Sequence, residues 1–411
     1  MAMDAFDLLL LAFKGVAIAS LPIALIWIAR APREQGDRLR RLAWATAFFT
    51  FDLIVFGGFT RLTDSGLGCP DWPGCYAKAN PFMAASDIHA AEAAMPTGPV
   101  TMNKAWIEMI HRYLAMAVGV LIITILVASL VRMRRAAKAG ESGTPRMRSA
   151  YPGLVACMLA LVILQGAFGA WTVTQRLQPI FVTTHLLLGL ALLAMLVWHA
   201  LRFESGSRAN AVIDTFADGT VATTTRRLRV LACAGAAVLT MQIALGGWVS
   251  ANYAVLACTD FPTCQGMWFP PMDLANGFHL WRELGKTAQG GTLSMEALTA
   301  IHWVQRSFAW PVFVVLGALV WRVRRVPSLT RSAVLLAALL ALQFASGLIN
   351  VVFAWPLAAA VLHNAGAAGL VACLVVINYR LSVLSRLDRV AASDVYLRAN
   401  AREALIERTA T

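Results

Sequence analysis

The feature that most constrains this chain is a series of long runs with few or no charged residues. About 20 apolar residues cross the ~30 Å hydrocarbon layer of a membrane as a helix. The 411 residues are 59% hydrophobic and only 14% charged, which is more apolar sequence than a soluble core absorbs. We therefore expect an all-α polytopic membrane protein. Its nine candidate spans lie at 7–29, 42–60, 105–131, 151–173, 180–201, 230–251, 299–321, 332–354 and 357–379.

The first run differs from the others because Lys14 interrupts it. It is expected to be an extra N-terminal hydrophobic segment, added to eight core helices. A signal-anchor or a cleaved leader peptide is the alternative interpretation.

Lysine and arginine indicate the orientation, since cytoplasmic loops of membrane proteins carry an excess of both. Alternate connections hold 26 of the 35 such residues, which predicts a bacterial inner-membrane protein with a cytoplasmic C-terminus. The net charge of +13 follows from this orientation and from contact with anionic lipid of the bilayer, so no nucleic-acid partner is expected. The basic connections are 30–41, 132–148, 202–229, 322–331 and 380–408.

Two similar cysteine-bounded segments indicate an internal duplication. The first cysteine loop, CPDWPGC at 69–75, and the second cysteine loop, CTDFPTC at 258–264, are offset by 189 residues. The same offset carries Gly57 and Gly58 onto Gly246 and Gly247. A repeat of this length predicts two pseudo-symmetric four-helix transmembrane bundles.

Both cysteine loops fall in the two longest connections, 61–104 and 252–298, which the charge pattern places on the outer side. That compartment is oxidising in bacteria. Five residues between the cysteines, with prolines bending the chain back, favour the disulfides Cys69–Cys75 and Cys258–Cys264. Reduced thiols or half of a metal site remain alternatives.

Four histidines lie inside apolar runs, where an ionisable group is costly unless it has a partner or a function. His111 and His302 follow the two cysteine loops, and His185 and His363 each come 20 residues after a glutamine, Gln165 or Gln343. Two histidines facing each other across a four-helix bundle can hold a heme iron from both sides. Each could instead be a buried polar residue bonded to a neighbouring helix. A zinc or di-iron site fits less well, because carboxylates are scarce in the spans.

The two halves differ in one acid. Glu108 lies three residues before His111, on the same helix face, whereas the position three before His302 is Thr299. We treat Glu108 as the single intramembrane acid that breaks the symmetry, and expect it to point toward whatever His111 binds. The asymmetry predicts that one heme is the substrate of the reaction and that the other is a cofactor for it.

These residues resemble the heme A synthase family. The match is carried by GGFTRLTDSGLGCPDWPGC at 57–75, by EMIHR at 108–112, by CTDFPTC, and by the histidines at 185, 302 and 363. It covers roughly residues 42–380. The glycine-rich segment that leads into the first cysteine loop is the specific signature.

The resemblance implies oxidation of one porphyrin methyl group of heme O to a formyl group, giving heme A for a terminal oxidase. It places the substrate heme on His111 and His185, and a heme b cofactor on His302 and His363. Glu108 is then the catalytic residue, accepting a proton or stabilising positive charge on the methyl carbon. Heme O synthase and cytochrome oxidase assembly factors are candidate partners, and a homo-oligomer is compatible with the sequence.

Arg61 and Arg112, near the outer interface, are candidate contacts of heme propionates. The alternative for each is interfacial snorkelling.

Two other functions remain open at this point. A bis-histidine diheme cytochrome relaying electrons from quinol would explain the histidines but not Glu108. A transporter or heme exporter would instead use inverted repeats with broken helices. The domain organisation predicted from the sequence is an N-terminal segment with a basic linker, 1–41, a substrate-heme bundle, 42–201, a cytoplasmic linker, 202–229, a heme b bundle, 230–383, and a cytoplasmic tail, 384–411.

Overall fold

The computed structural model describes residues 3–28, 35–139, 152–203 and 221–409. Within these ranges the chain is helical and has no β-strand. The helices in chain order are α1 (Ala5–Ile28), α2 (Gln35–Leu62), α3 (Ala85–Ala94), α4 (Met102–Lys138), α5 (Pro152–Thr174), α6 (Pro179–Leu201), α7 (Val221–Ala251), α8 (Leu274–Gly277), α9 (Met295–Val323), α10 (Thr330–Val352) and α11 (Leu357–Thr409). Short 3₁₀ turns lie at Ala254–Leu256 and Pro327–Leu329.

Nine helices of the described ranges, all except α3 and α8, are long and apolar enough to cross a membrane. The chain is therefore a multi-pass membrane protein, as the apolar runs predict. The predicted linker 202–229 lies largely outside the described residues, as do parts of the basic connections 30–41 and 132–148. The predicted tail from 384 continues α11 as helix to Thr409.

Local sequence accounts for the positions where the buried helices begin. Thr101 caps α4, its hydroxyl accepting from the backbone N–H of Lys104 at 3.3 Å, and Ser294 caps α9 through Ala297 at 3.2 Å. Such caps satisfy N–H groups that have no partner within the helix. Both capped helices are the second helix of their half, so the caps fix corresponding ends of the two bundles.

Each half is a closed ring of four helices. In the first half α2, α4, α5 and α6 pack in that order and α6 returns to α2; in the second half α7, α9, α10 and α11 do the same. The halves meet through their first and fourth helices, α2 with α11 and α6 with both α7 and α11. A continuous leucine-rich core fills both rings, with Leu193, Leu196 and Leu316 fully buried. The predicted pair of pseudo-symmetric four-helix bundles is confirmed.

Helix α1 packs on the outside of the first half, against α4 and α2. Its buried Asp7 accepts from the backbone N–H of Ala79 at 2.8 Å. Lys14, which interrupts the apolar run, donates to the carbonyl of Ala79 and to the hydroxyl of Tyr113, both at 3.2 Å. The two charges of α1 thus bind the segment that follows the first cysteine loop, and Lys14 is a packing contact of this helix.

Both cysteine loops are closed by the predicted disulfides, Cys69–Cys75 and Cys258–Cys264. The aspartate of each loop accepts two backbone N–H bonds from just beyond the second cysteine. Asp71 accepts from Tyr76 at 2.7 Å and Ala77 at 2.6 Å. Asp260 accepts from Gln265 at 2.6 Å and Gly266 at 3.0 Å. The shared aspartate therefore holds the chain as it leaves the loop.

Corresponding residues of the two halves touch each other beside the loops. Arg61 donates to the carbonyl of Ser250 at 2.6 Å and stacks over the Tyr253 ring at 4.0 Å. The hydroxyl of Tyr253 donates to Asp64 at 2.6 Å. Both hydrogen bonds join residues 189 positions apart, which is the offset of the duplication.

Acid should loosen the second cysteine loop. Hydrogen bonds from Thr263 and from the N–H groups of Gly266 and Gln265 lower the pKa of Asp260. A lowered folded-state pKa adds stability above the ordinary aspartate value of ~3.9, and this is lost as pH falls through the lowered value. We expect hydrogen exchange at residues 265 and 266 to be faster in Asp260→Asn than in the parent at pH 6. The two rates should converge as pH falls through the lowered pKa of Asp260, and a constant ratio of the rates over this fall in pH would contradict the assignment.

Candidate functional site

In the first half, two buried histidines are each seated against a glycine of a neighbouring helix. A Cβ added at Gly57 of α2 would lie 2.9 Å from Cε1 of His111, and one at Gly169 of α5 would lie 3.2 Å from Cε1 of His185. The ring of Phe56 stacks on His111 with centroids 6.4 Å apart. The absence of a side chain at 57 and 169 is therefore what leaves room for both imidazoles.

The same two imidazoles retain ring nitrogens that are free to bind. Among the described residues, Nδ1 of both His111 and His185 is buried and has no hydrogen-bond partner. Gln165 donates to the backbone carbonyl of His185 at 2.9 Å and thereby ties α5 to α6. Leaving buried polar atoms unpaired costs free energy, so this pair fits a metal-centred ligand such as heme better than a satisfied core.

Glu108 binds the first cysteine loop. It is 4% exposed; one carboxylate oxygen accepts from the backbone N–H of Cys69 at 2.8 Å, and the other pairs with Arg112. A carboxylate in a low-dielectric interior needs such partners to remain charged. Its contacts are thus with the cysteine loop and with Arg112, and its orientation toward the group that His111 binds stays a prediction.

Arg112 is bound to the same loop. Its guanidinium donates to the carbonyls of Asp71 at 2.8 Å and Pro73 at 3.2 Å, to the carbonyl of Gly74, and to Glu108. Arg112 is thus a buried anchor of the loop. Its contact with a heme propionate stays a prediction. Arg61 pairs with Asp64 at 3.2 Å, beside its contacts to the second half.

In the second half, His363 repeats the setting of His185. Gln343 donates to the backbone carbonyl of His363 at 2.8 Å, and a Cβ at Gly347 would lie 3.4 Å from the ring. The hydroxyl of Ser346 lies 2.9 Å from Nδ1 of His363, a contact that His185 lacks among the described residues. The fourth-helix histidines therefore share the glutamine bond and the neighbouring glycine, and differ in the Ser346 contact.

His302 does not repeat the setting of His111. Its Nδ1 accepts from the backbone N–H of Cys258 at 3.2 Å, and the side chain is 4% exposed. Gly246, the counterpart of Gly57, has no atom within 4 Å of an added Cβ, so no imidazole lies against it. The contacts of His302 hold it at the second cysteine loop, whereas His111 lies against Gly57 of the first helix of its half.

The sequence reasoning missed a second intramembrane acid. Asp52 lies midway along α2, is exposed on the protein surface, and lines an apolar cleft with Val55, Phe56, Phe59 and Val361. Naming Glu108 as the only intramembrane acid was therefore wrong. An acid inside an otherwise apolar run is itself a visible signal. Its helix also carries Phe56, one turn further on, which contacts His111.

The fold and these buried histidines define a class: all-helical, multi-pass membrane proteins made of two packed four-helix bundles with imidazoles suited to heme. A family model described as cytochrome oxidase assembly protein (COX15-CtaA) matches residues 40–375. The chain belongs to this family, which confirms the resemblance carried by the motifs.

Named relatives match almost their whole length. The heme A synthase of Shewanella oneidensis is 37% identical over 344 residues, covering 83% of this chain and 97% of that protein. The heme A synthase of Caulobacter vibrioides is 30% identical over 371 residues, covering 84% and 98%. The heme A synthase of Paracoccus denitrificans is 27% identical over 359 residues, covering 82% and 86%.

The Glu108–Arg112 pair should contribute strongly to stability. Arg112→Met leaves a buried carboxylate without its cation, and we expect a loss of about 3–5 kcal/mol. Thermal unfolding of the detergent-purified protein measures it. Lys286→Met is the matched control, because its pair with Glu283 is exposed and worth at most ~1 kcal/mol. Adding Glu108→Gln to Arg112→Met should recover part of the lost stability. Equal melting temperatures for Arg112→Met and Lys286→Met would contradict the anchoring role.

Proposed function

We propose that this protein is a heme A synthase, an oxidoreductase that converts one methyl group of heme O to a formyl group. The observation that carries the proposal is the presence in the first bundle of two buried histidines, His111 and His185, each with an unpartnered Nδ1 among the described residues. The named relatives support it, as does the match over residues 40–375 to the family.

His111 and His185 are proposed to hold the iron of the substrate heme O in the first half. A second heme, proposed to be heme b, belongs in the second half, where His363 repeats the setting of His185. A bound heme supplies the redox chemistry that side chains lack. The chain contributes the apolar enclosure, the ligands and the orientation of the ring.

Glu108 is proposed to be the catalytic residue, acting through its carboxylate. It is one turn before His111 on α4, and its carboxylate is held by Cys69 and Arg112. A positioned carboxylate accepts a proton or stabilises developing positive charge when the reacting carbon lies within reach. The competing role is purely structural, with Glu108 holding the first cysteine loop.

The setting of the reaction follows from the charge pattern. We propose the bacterial inner membrane, with the cysteine loops on the outer side and the C-terminus in the cytoplasm. Heme O synthase and cytochrome oxidase assembly factors are the proposed partners, and a homo-oligomer of this chain is compatible with the fold.

Co-expression with a source of heme O tests the proposal. Extracted hemes, identified by chromatography and mass, should include heme A only when this chain is present. Glu108→Gln should bind heme yet accumulate heme O or a hydroxymethyl product, with formation of heme A slowed by about 10² to 10⁴-fold. The glutamine can still accept from the Cys69 N–H group, so the first cysteine loop should stay folded. As a check, Cys69 and Cys75 should react with an alkylating reagent only after their disulfide has been reduced. Heme A formed at the parent rate would leave Glu108 as a structural residue only.

Gly57 and Gly246 form a matched pair for testing the first-half ligand. Gly57→Ala places a methyl group 2.9 Å from the His111 ring, so the imidazole must move. We expect the heme content of the first half to fall several-fold. Gly246→Ala meets nothing within 4 Å and should behave like the parent. Heme content and heme A formation, measured side by side, check both variants, and equal loss in the two would contradict the proposed ligand.

A further inference from the structure

The second helix of each half carries a similar five-residue segment, EMIHR at 108–112 and HWVQR at 302–306. When the two arginines are matched, His302 corresponds to Glu108 and Gln305 corresponds to His111. We propose that Gln305 occupies the ligand position in the second half, that His302 instead holds the second cysteine loop, and that His363 is the only histidine that ligates the second heme. The inference rests on the proposed function, since it concerns a bound heme.

The first support is a hydrogen bond made by corresponding backbone groups. The N–H of Cys69 donates to Glu108, and the N–H of Cys258, 189 positions later, donates to Nδ1 of His302. Both acceptors are buried side chains of the second helix. His302 thus makes the contact that Glu108 makes, with an imidazole nitrogen in place of a carboxylate oxygen.

The second support comes from the arginines, each four residues after that acceptor. Arg112 donates to the carbonyl of Asp71 at 2.8 Å, and Arg306 donates to the carbonyl of Asp260 at 2.8 Å. Asp71 and Asp260 are themselves 189 positions apart. Acceptor and arginine therefore sit on the two cysteine loops in the same way, which fixes the register of α9 relative to α4.

The third support comes from the side of α9 that packs against α7. In the first half His111 lies against Gly57 of α2. In the second half the backbone carbonyl of Gln305 accepts from Gln242 of α7 at 3.1 Å, whereas the counterpart glycine, Gly246, has no imidazole beside it. Residues three apart differ by about 4.5 Å along a helix and by ~60° around it. His302 is thus displaced from the ligand position toward the loop.

The consequence is a difference between the two hemes. A carboxamide is a much weaker ligand of heme iron than an imidazole, and axial ligands determine the properties of the iron. The second heme would have His363 on one side and an amide, or no protein ligand, on the other. We expect a high-spin iron in the second half, in contrast to the bis-histidine pair of the first.

The test uses the full chain carrying His111→Ala and His185→Ala, so that only the second-half heme is observed. Heme content, optical absorption and electron paramagnetic resonance are measured on detergent-purified protein, with monodispersity confirmed by size exclusion. We expect a high-spin signal that persists in His302→Gln, which retains an acceptor for Cys258. Gln305→His should convert the signal to low-spin bis-histidine, and His363→Ala should lose the heme.

A low-spin signal in this background that disappears in monodisperse His302→Gln, with Gln305→His unchanged, overturns the inference and leaves the proposed function standing. If Gln305→His fails to fold, the spin state and heme content of His302→Gln alone test the inference. The unsubstituted full chain purified without any heme overturns the proposed function, and this inference with it.

Discussion

The two halves depend on one repeated interaction, the donation of a cysteine-loop N–H group to a buried side chain of the following helix. Cys69 donates to Glu108 and Cys258 to His302, and in each half an arginine one turn further on donates to the carbonyl of the loop aspartate. Buried polar groups must be satisfied within the protein where lipid surrounds it. These bonds fix the rotation of α4 and α9 and so decide which side chains face the interior of each bundle.

The positions of the apolar runs were sufficient to predict the helical architecture, because a run long enough to span a membrane has few alternatives to a helix. The run 180–201 became Pro179–Leu201, and the disulfides followed from five-residue loops. The fourth-helix histidines were also predictable, because Gln343 and His363 repeat Gln165 and His185 at an identical spacing.

Side-chain direction was not predictable in the same way. The connections that precede α4 and α9 differ in length, so counting from them could not decide between His302 and Gln305. Glu108 shares a face with His111, yet its carboxylate turns to the Cys69 N–H and to Arg112 because a buried charge is costly without partners. Asp52 was missed because one acid barely changes the mean hydropathy of a long run.

The contacts of Arg61 with Ser250 and of Tyr253 with Asp64 each join a position to its own counterpart, 189 residues along the chain. A self-complementary surface of this kind is what an isologous homodimer presents at its two-fold axis. The interface between the halves therefore has the form of a two-fold dimer contact within one chain. Because both copies belong to one chain, they need not be identical. The second helix can carry His111 in one half and Gln305 at the matched position in the other, which a symmetric dimer encoded by a single gene cannot do.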